Sequence, residues 1–137
     1  ELKEIDANAA KTEVFAYGHL PLAYSARCFT ARSLNRAKDD CQLACLEYPQ
    51  GITAKSQEGE EVFVLNGIQT QSGHCYNLIN QLPEMAGLVD VIRLSPEQET
   101  FEWLSRFHSQ LKTPSHHPLP NKECNGYWQR LAGMVLA

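Results

Sequence analysis

The sequence has 137 residues, of which 43% are hydrophobic and 20% are charged, and its formal net charge is −4. These proportions indicate one globular domain with a hydrophobic core and exclude an intrinsically disordered chain. The acidic balance argues against a dedicated nucleic-acid binder, and no apolar run approaches the ~20 residues of a membrane-spanning helix.

The five cysteines are an odd number, and their spacing is not that of a small secreted disulfide framework. This usage favours a reducing, cytoplasmic setting. The chain begins at Glu1 rather than at a methionine, and we expect it to be part of a longer protein.

The first third of the chain predicts a helix, a strand and a second helix. Residues 1–10 have apolar side chains at helical spacing and predict the tail of a helix. Residues 12–17 favour a buried strand, and residues 19–25 a loop that contains a proline. Residues 34–47 predict a short helix, which places Cys28 just beyond the end of a strand and before a helix.

The rest of the chain predicts a hairpin, a helix, a strand and a last helix. The hairpin joins residues 52–56 to 61–65, a helix follows at 74–82, and residues 89–94 form a buried strand. Ser95 caps the last helix, whose apolar stripe consists of Phe101, Leu104, Phe107 and Leu111. Strands that alternate with helices predict an α/β fold with parallel strands, where sites gather at the carboxyl ends of strands.

Three cysteines, Cys28, Cys41 and Cys45, form the candidate metal-binding and cofactor-binding set. Twelve residues separate the first pair and three separate the second. If the segment around Cys41 is helical, Cys41 and Cys45 lie one turn apart on one face, and Cys28 can join them from the preceding loop. Thiolates select zinc or iron–sulfur clusters, and both usually take four protein ligands. The segment supplies three, so a fourth ligand is expected from elsewhere.

The surroundings of these thiols are charged, which favours thiolates over apolar burial. The alternative that the cysteines are small buried hydrophobic residues stays open, because their spacing matches no common zinc pattern. The charged neighbours are Arg27, Arg32, Arg36, Lys38, Asp39 and Asp40.

Long strings of this sequence resemble the collagenase-like peptidase family, family thirty-two of the unassigned peptidases. The similarity extends over nearly the whole chain and is not limited to a cysteine spacing. The strings that carry it are residues 17–33, Cys41 and Cys45, residues 64–70, 90–96 and 124–134.

The resemblance implies the C-terminal half of a barrel-like (β/α) fold in residues 1–112. The three prolines of residues 113–120 predict a linker, and the aromatic residues of 121–137 predict a docking tail. The resemblance also implies a 4Fe-4S cluster on four cysteines, of which Cys28, Cys41 and Cys45 are three and the fourth lies outside this chain. The member of this family that the strings resemble forms a heterodimer with a UbiU-like sister protein. The pair supports the oxygen-independent hydroxylation of ubiquinone precursors, relatives hydroxylate RNA bases, and older descriptions of the group call its members peptidases.

Two other functions compete with the iron–sulfur interpretation. A peptidase is disfavoured because the chain contains neither His-Glu-x-x-His nor Gly-x-Ser-x-Gly, and His116-His117 lies in a proline-rich linker where histidines are usually solvated. A zinc-binding structural module would use the same thiols. No catalytic residue is identified, because Cys75 is expected to be a half-buried helix residue and Cys124 has no predicted ligand role. A half barrel leaves sheet edges open, so we expect the isolated chain to self-associate or to close differently.

Overall fold

A computed structural model describes residues 10–96, 98–132 and 134–137. The helix predicted for residues 1–10 lies outside these, apart from residue 10, which is in no helix. Within the described ranges, no helix is both long and apolar enough to cross a membrane.

The described strands form a mixed, mostly antiparallel sheet in the order β2-β3-β4-β1-β5, and β6 pairs with β4. β1 and β5 are parallel, whereas β2–β3 and β3–β4 are antiparallel hairpins. The strands are β1 (Glu13–Tyr24), β2 (Ile52–Lys55), β3 (Glu61–Asn66), β4 (Gln69–Asn77), β5 (Val91–Leu94) and β6 (Glu123–Cys124). The α-helices are few: α1 (Phe29–Ser33), α2 (Leu82–Met85) and α3 (Thr100–Lys112).

The predicted α/β fold, with parallel strands alternating with helices in a half barrel, is therefore wrong. The error begins at residues 74–82, which were expected to be helical but largely belong to β4 and a 3-10 helix (Ile79–Gln81). A two-residue turn at Gly67 and Ile68 folds β4 directly back on β3, with Asn66 opposite Gln69. The main-chain hydrogen bonds of that hairpin override the local helical pattern of the sequence.

The chain divides into two compact units, which are described separately. The terminal unit comprises residues 10–18 and 76–137, and the central unit comprises residues 19–75. The predicted division into 1–112, 113–120 and 121–137 stays a prediction.

The terminal unit has a core of large apolar side chains. Leu78 and Leu82 are fully buried, and Ile79 and Met85 are almost so. The ring of Tyr17 stacks on Trp103 of α3, with their centroids 3.8 Å apart. The burial of these side chains therefore contributes to the hydrophobic stabilisation of the unit.

Helix α3 differs from its prediction in its start and in its buried face. It begins at Thr100 rather than after Ser95, and its N-cap is Glu99, a left-handed residue with no side-chain capping bond. Only Phe107 of the predicted stripe is buried, while Phe101 is 86% exposed. The ring contact with Tyr17 orients the helix through Trp103, which the stripe did not include.

The C-terminal segment of the terminal unit makes several polar contacts. Buried Asn125 donates from Nδ2 to the main-chain oxygen of Ala137 at 2.9 Å and accepts from the Ala137 N–H at 2.8 Å. Trp128 Nε1 donates to Glu84 Oε2 at 3.0 Å. The two bonds between Asn125 and Ala137 close the segment on itself, and the bond from Trp128 joins it to Glu84 of α2.

The central unit consists mainly of the predicted hairpin, extended by β4. The strands predicted at 52–56 and 61–65 are confirmed as β2 and β3. Gly73 allows the close approach of β4 to β3, because a Cβ placed there would lie 1.9 Å from the Glu61 carbonyl oxygen. The buried apolar side chains of this unit are small: Ala31, Ala44 and Val64.

Candidate functional site

Cys28 lies between β1 and α1, just beyond the end of a strand as the sequence predicts. The loop predicted at residues 19–25 is wrong, because β1 continues through it to Tyr24. Cys28 is the N-cap of α1, with extended backbone geometry, and its Sγ accepts the Ala31 N–H at 3.5 Å. The side chain is half-buried. A weak sulfur bond and partial burial hold the thiol in place without removing it from solvent.

Hydrogen bonds join α1 to the turn between β3 and β4. The Phe29 N–H donates to the Gly67 carbonyl at 2.7 Å, and the Gly67 N–H donates to Thr30 Oγ1 at 3.2 Å. Thr30 is 1% exposed. Cys28 is thus positioned by a helix that two nonlocal hydrogen bonds fix to a β-hairpin.

The predicted helix at 34–47 is wrong, and with it the helical spacing of Cys41 and Cys45. Two 3-10 helices, Lys38–Asp40 and Ala44–Glu47, replace it. Between them Gln42 and Leu43 adopt left-handed backbone conformations, with φ of 50° and 52°. Because two consecutive left-handed residues cannot belong to an α-helix, Cys41 and Cys45 do not share one helical face.

Arg36 contacts both ends of the segment from Cys41 to Glu47. Its Nη1 donates to the Cys41 carbonyl at 3.2 Å, and its Nη2 lies 4.0 Å from Glu47 Oε1. Cys41 and Cys45 are both half-buried and in no disulfide. Their thiols are therefore accessible, and Arg36 holds the backbone of the first.

A cavity of about 260 Å³ opens beside Cys28. Three of its five lining residues are arginines, so all three arginines that the sequence indicated lie at this one place. The lining consists of Arg27, Cys28, Ala31, Arg32 and Arg36. Such a cavity favours a negatively charged occupant.

The donors for a thiolate-bound metal are present, but the described backbone does not assemble them. Among the residues that the structure describes, no group of three or more His, Cys, Asp and Glu side chains could hold a metal ion. The chemistry of Cys28, Cys41 and Cys45 fits a zinc or iron–sulfur centre, because these half-buried thiols are not disulfide-bonded. Their role as ligands stays a prediction.

The other two cysteines have different surroundings. Cys124 in β6 is 1% exposed, and burial, followed by the nearby Glu123 charge, raises the pKa of its thiol to about 11. The thiolate of Cys124 is therefore disfavoured at neutral pH, which makes it a poor ligand or nucleophile. Cys75 is half-buried in β4 rather than in the predicted helix.

Two features have no sequence signal that could have revealed them. A cavity of about 450 Å³ lies between β5 and α3 of the terminal unit, flanked by a Glu13–Arg93 ion pair of 2.7 Å. His117, expected to be solvated, is half-buried, and its Nε2 lies 3.1 Å from Gln110 Oε1. The ion pair beside the cavity, and the bond of 2.8 Å from the His117 N–H to Asn80 Oδ1, join segments far apart in the chain.

The chain matches no protein-family model, and no solved structure matches it significantly. The case for a function therefore depends on the residues themselves and on the resemblance that they carry.

Proposed function

We propose that this chain belongs to an iron–sulfur protein that supports the oxygen-independent hydroxylation of ubiquinone precursors together with a UbiU-like sister protein. Cys28, Cys41 and Cys45 supply three thiolates to a 4Fe-4S cluster, and a cysteine outside this chain supplies the fourth. Within the resembling family, the strings of sequence are most similar to the ubiquinone-biosynthesis protein UbiV.

The observation that supports this proposal best is the surroundings of Cys28. Its half-buried thiol lines the same cavity as Arg27, Arg32 and Arg36. A cluster with four thiolate ligands is anionic, and guanidinium groups attract negative charge strongly where water is partly excluded. The arginines thus stabilise the protein with its cluster bound relative to the protein without it.

The backbone around Cys41 and Cys45 supports the proposal in a second way. Cys45 lies in one 3-10 helix, Cys41 directly follows another, and the left-handed residues Gln42 and Leu43 lie between them. Among the described residues of this segment, Ala44 is the one buried apolar side chain. Such a segment can shift at low cost in packing energy, because few apolar contacts hold it. When bound, the cluster would supply single-electron transfer, while the chain holds it and limits its contact with water.

Metal and sulfide analysis of the full-length protein, purified without oxygen, tests the proposal. We expect iron and acid-labile sulfide in equal amounts, with the broad visible absorption of an iron–sulfur cluster. Cys28→Ser, Cys41→Ser and Cys45→Ser should each lose most of the iron. Cys75→Ser is the matched control, because it removes a half-buried thiol of the central unit outside the set, and it should retain the iron.

Two outcomes would contradict the proposal. Stoichiometric zinc without sulfide would instead identify a zinc-binding structural module on the same thiols. Full retention of iron in the three ligand variants would show that other residues bind it.

A further inference from the structure

The cavity beside Cys28 carries more positive charge than is needed to favour one thiolate. Its volume of about 260 Å³ is several times the ~30 Å³ that a water molecule occupies in the liquid. Ala31, only 2% exposed, forms part of its wall. The space is therefore sufficient for a small polyatomic anion with a short organic group.

The charge of the cavity is poorly neutralised by the chain. Of the described residues that line it, none is acidic. Among the described residues, the carboxylate paired with a lining arginine is Glu47, 4.0 Å from Arg36, and its side chain is 65% exposed. An exposed pair at that distance contributes little. Three guanidinium groups that line one cavity attract an anion more strongly than a single group does.

The chemistry of arginine indicates which anion. A planar guanidinium donates two parallel hydrogen bonds to phosphate oxygens, and several such groups around one small space favour a polyvalent oxyanion. The bond from Arg36 Nη1 to the Cys41 carbonyl fixes one of these groups before any ligand arrives. Preorganisation of this kind lowers the entropic cost of binding.

From this arrangement we propose that the cavity lined by Arg27, Arg32 and Arg36 binds a small phosphate-bearing ligand. Phosphate binding requires the guanidinium groups and not the Cys28 thiol, and it competes with a bound cluster for the same arginines. Phosphate binding goes beyond the proposed iron–sulfur function, and either proposal can fail without the other.

Calorimetric titration of the full-length protein with inorganic phosphate, at fixed ionic strength, tests the site. The titration is repeated after a chelator has removed the metal. Arg27→Gln and Arg32→Gln should each weaken phosphate binding about tenfold, the loss expected for a charge-assisted hydrogen-bonded contact. Both side chains belong to exposed residues, so neither change should disturb folding.

Arg130→Gln is the matched control, since it removes the same charge from an exposed residue of the terminal unit. Its phosphate affinity should stay within about twofold of the wild type, because salt screens an exposed charge that does not line the cavity. Cys28→Ser should retain phosphate binding after the chelator has removed the metal. Wild-type affinity in both cavity variants, or an equal loss in the control, would overturn the proposal and leave the iron result intact.

Discussion

The terminal and central units differ in what holds them together. The terminal unit contains the large buried side chains, among them Leu78, Leu82 and Phe107. Among the described residues of the central unit, no buried apolar side chain is larger than Val64. The central unit is held instead by strand pairing and by hydrogen bonds such as those from α1 to the β3–β4 turn. The candidate cysteines all lie in this thinly packed unit. Binding segments are expected to have low local stability, and this contrast follows that rule.

The largest expected effect concerns the core of the terminal unit. Leu82→Ala should lower the free energy of unfolding by about 2–5 kcal/mol, because a fully buried leucine leaves a cavity. Leu43→Ala in the central unit is the matched change at a side chain 63% exposed, and it should stay within about 0.5 kcal/mol of the wild type. Denaturant unfolding followed by tryptophan fluorescence and circular dichroism measures both. Equal losses would remove the contrast between the units.

A smaller effect, which depends on pH, is expected at Glu123 of the terminal unit. Burial raises the pKa of this carboxyl above its usual value of 4.5, and the hydrogen bond from Asn77 offsets part of the rise. The folded chain therefore keeps this proton to a higher pH than the unfolded chain does. Stability must fall as pH rises from the unfolded pKa through the folded pKa. Glu123→Gln cannot ionise and still accepts from Asn77, so it should exceed the wild type in stability at pH 8 and lose that advantage near pH 4.

Glu58 of the central unit gives the opposite sign and serves as the control. The hydrogen bond with the side chain of Ser56 is the main cause that lowers the pKa of this exposed carboxyl. Its stabilising contribution is present above the unfolded pKa and is lost as pH falls through the folded pKa. Glu58→Gln should therefore be slightly less stable than the wild type at pH 8. An advantage of the glutamine at both positions would show that burial is not the cause at Glu123.

Local sequence predicted the strands better than the helices. The β-rich runs 52–65 and 89–94 match β2, β3 and β5 closely. The run 12–17 matches only the first half of β1, which continues through the loop predicted at 19–25. Residues 74–82 were misassigned because their conformation depends on pairing with β3, which a local pattern does not contain. The fold class was wrong for the same reason: two consecutive hairpins replaced the expected helical connections.

The sequence identified the chemical groups of the candidate site but not their arrangement. Thiols and guanidinium groups can be read directly, and Cys28 and its three arginines do line one cavity. The spatial arrangement of Cys41 and Cys45 could not be predicted from the sequence, because it depends on the left-handed backbone of Gln42 and Leu43. Residues other than glycine rarely adopt that conformation. Asn35, also left-handed, was a usable signal that α1 ends there.

The most direct test of the central claim is amide hydrogen exchange on the full-length protein, before and after removal of the metal. We claim that the central unit holds the chemical site while the terminal unit holds the stable core. Removal of the metal should therefore reduce the protection of amide hydrogens against exchange in residues 28–48, while the amides of residues 78–85 and 103–110 keep their protection. Unchanged exchange in residues 28–48, or an equal loss across both units, would contradict this account.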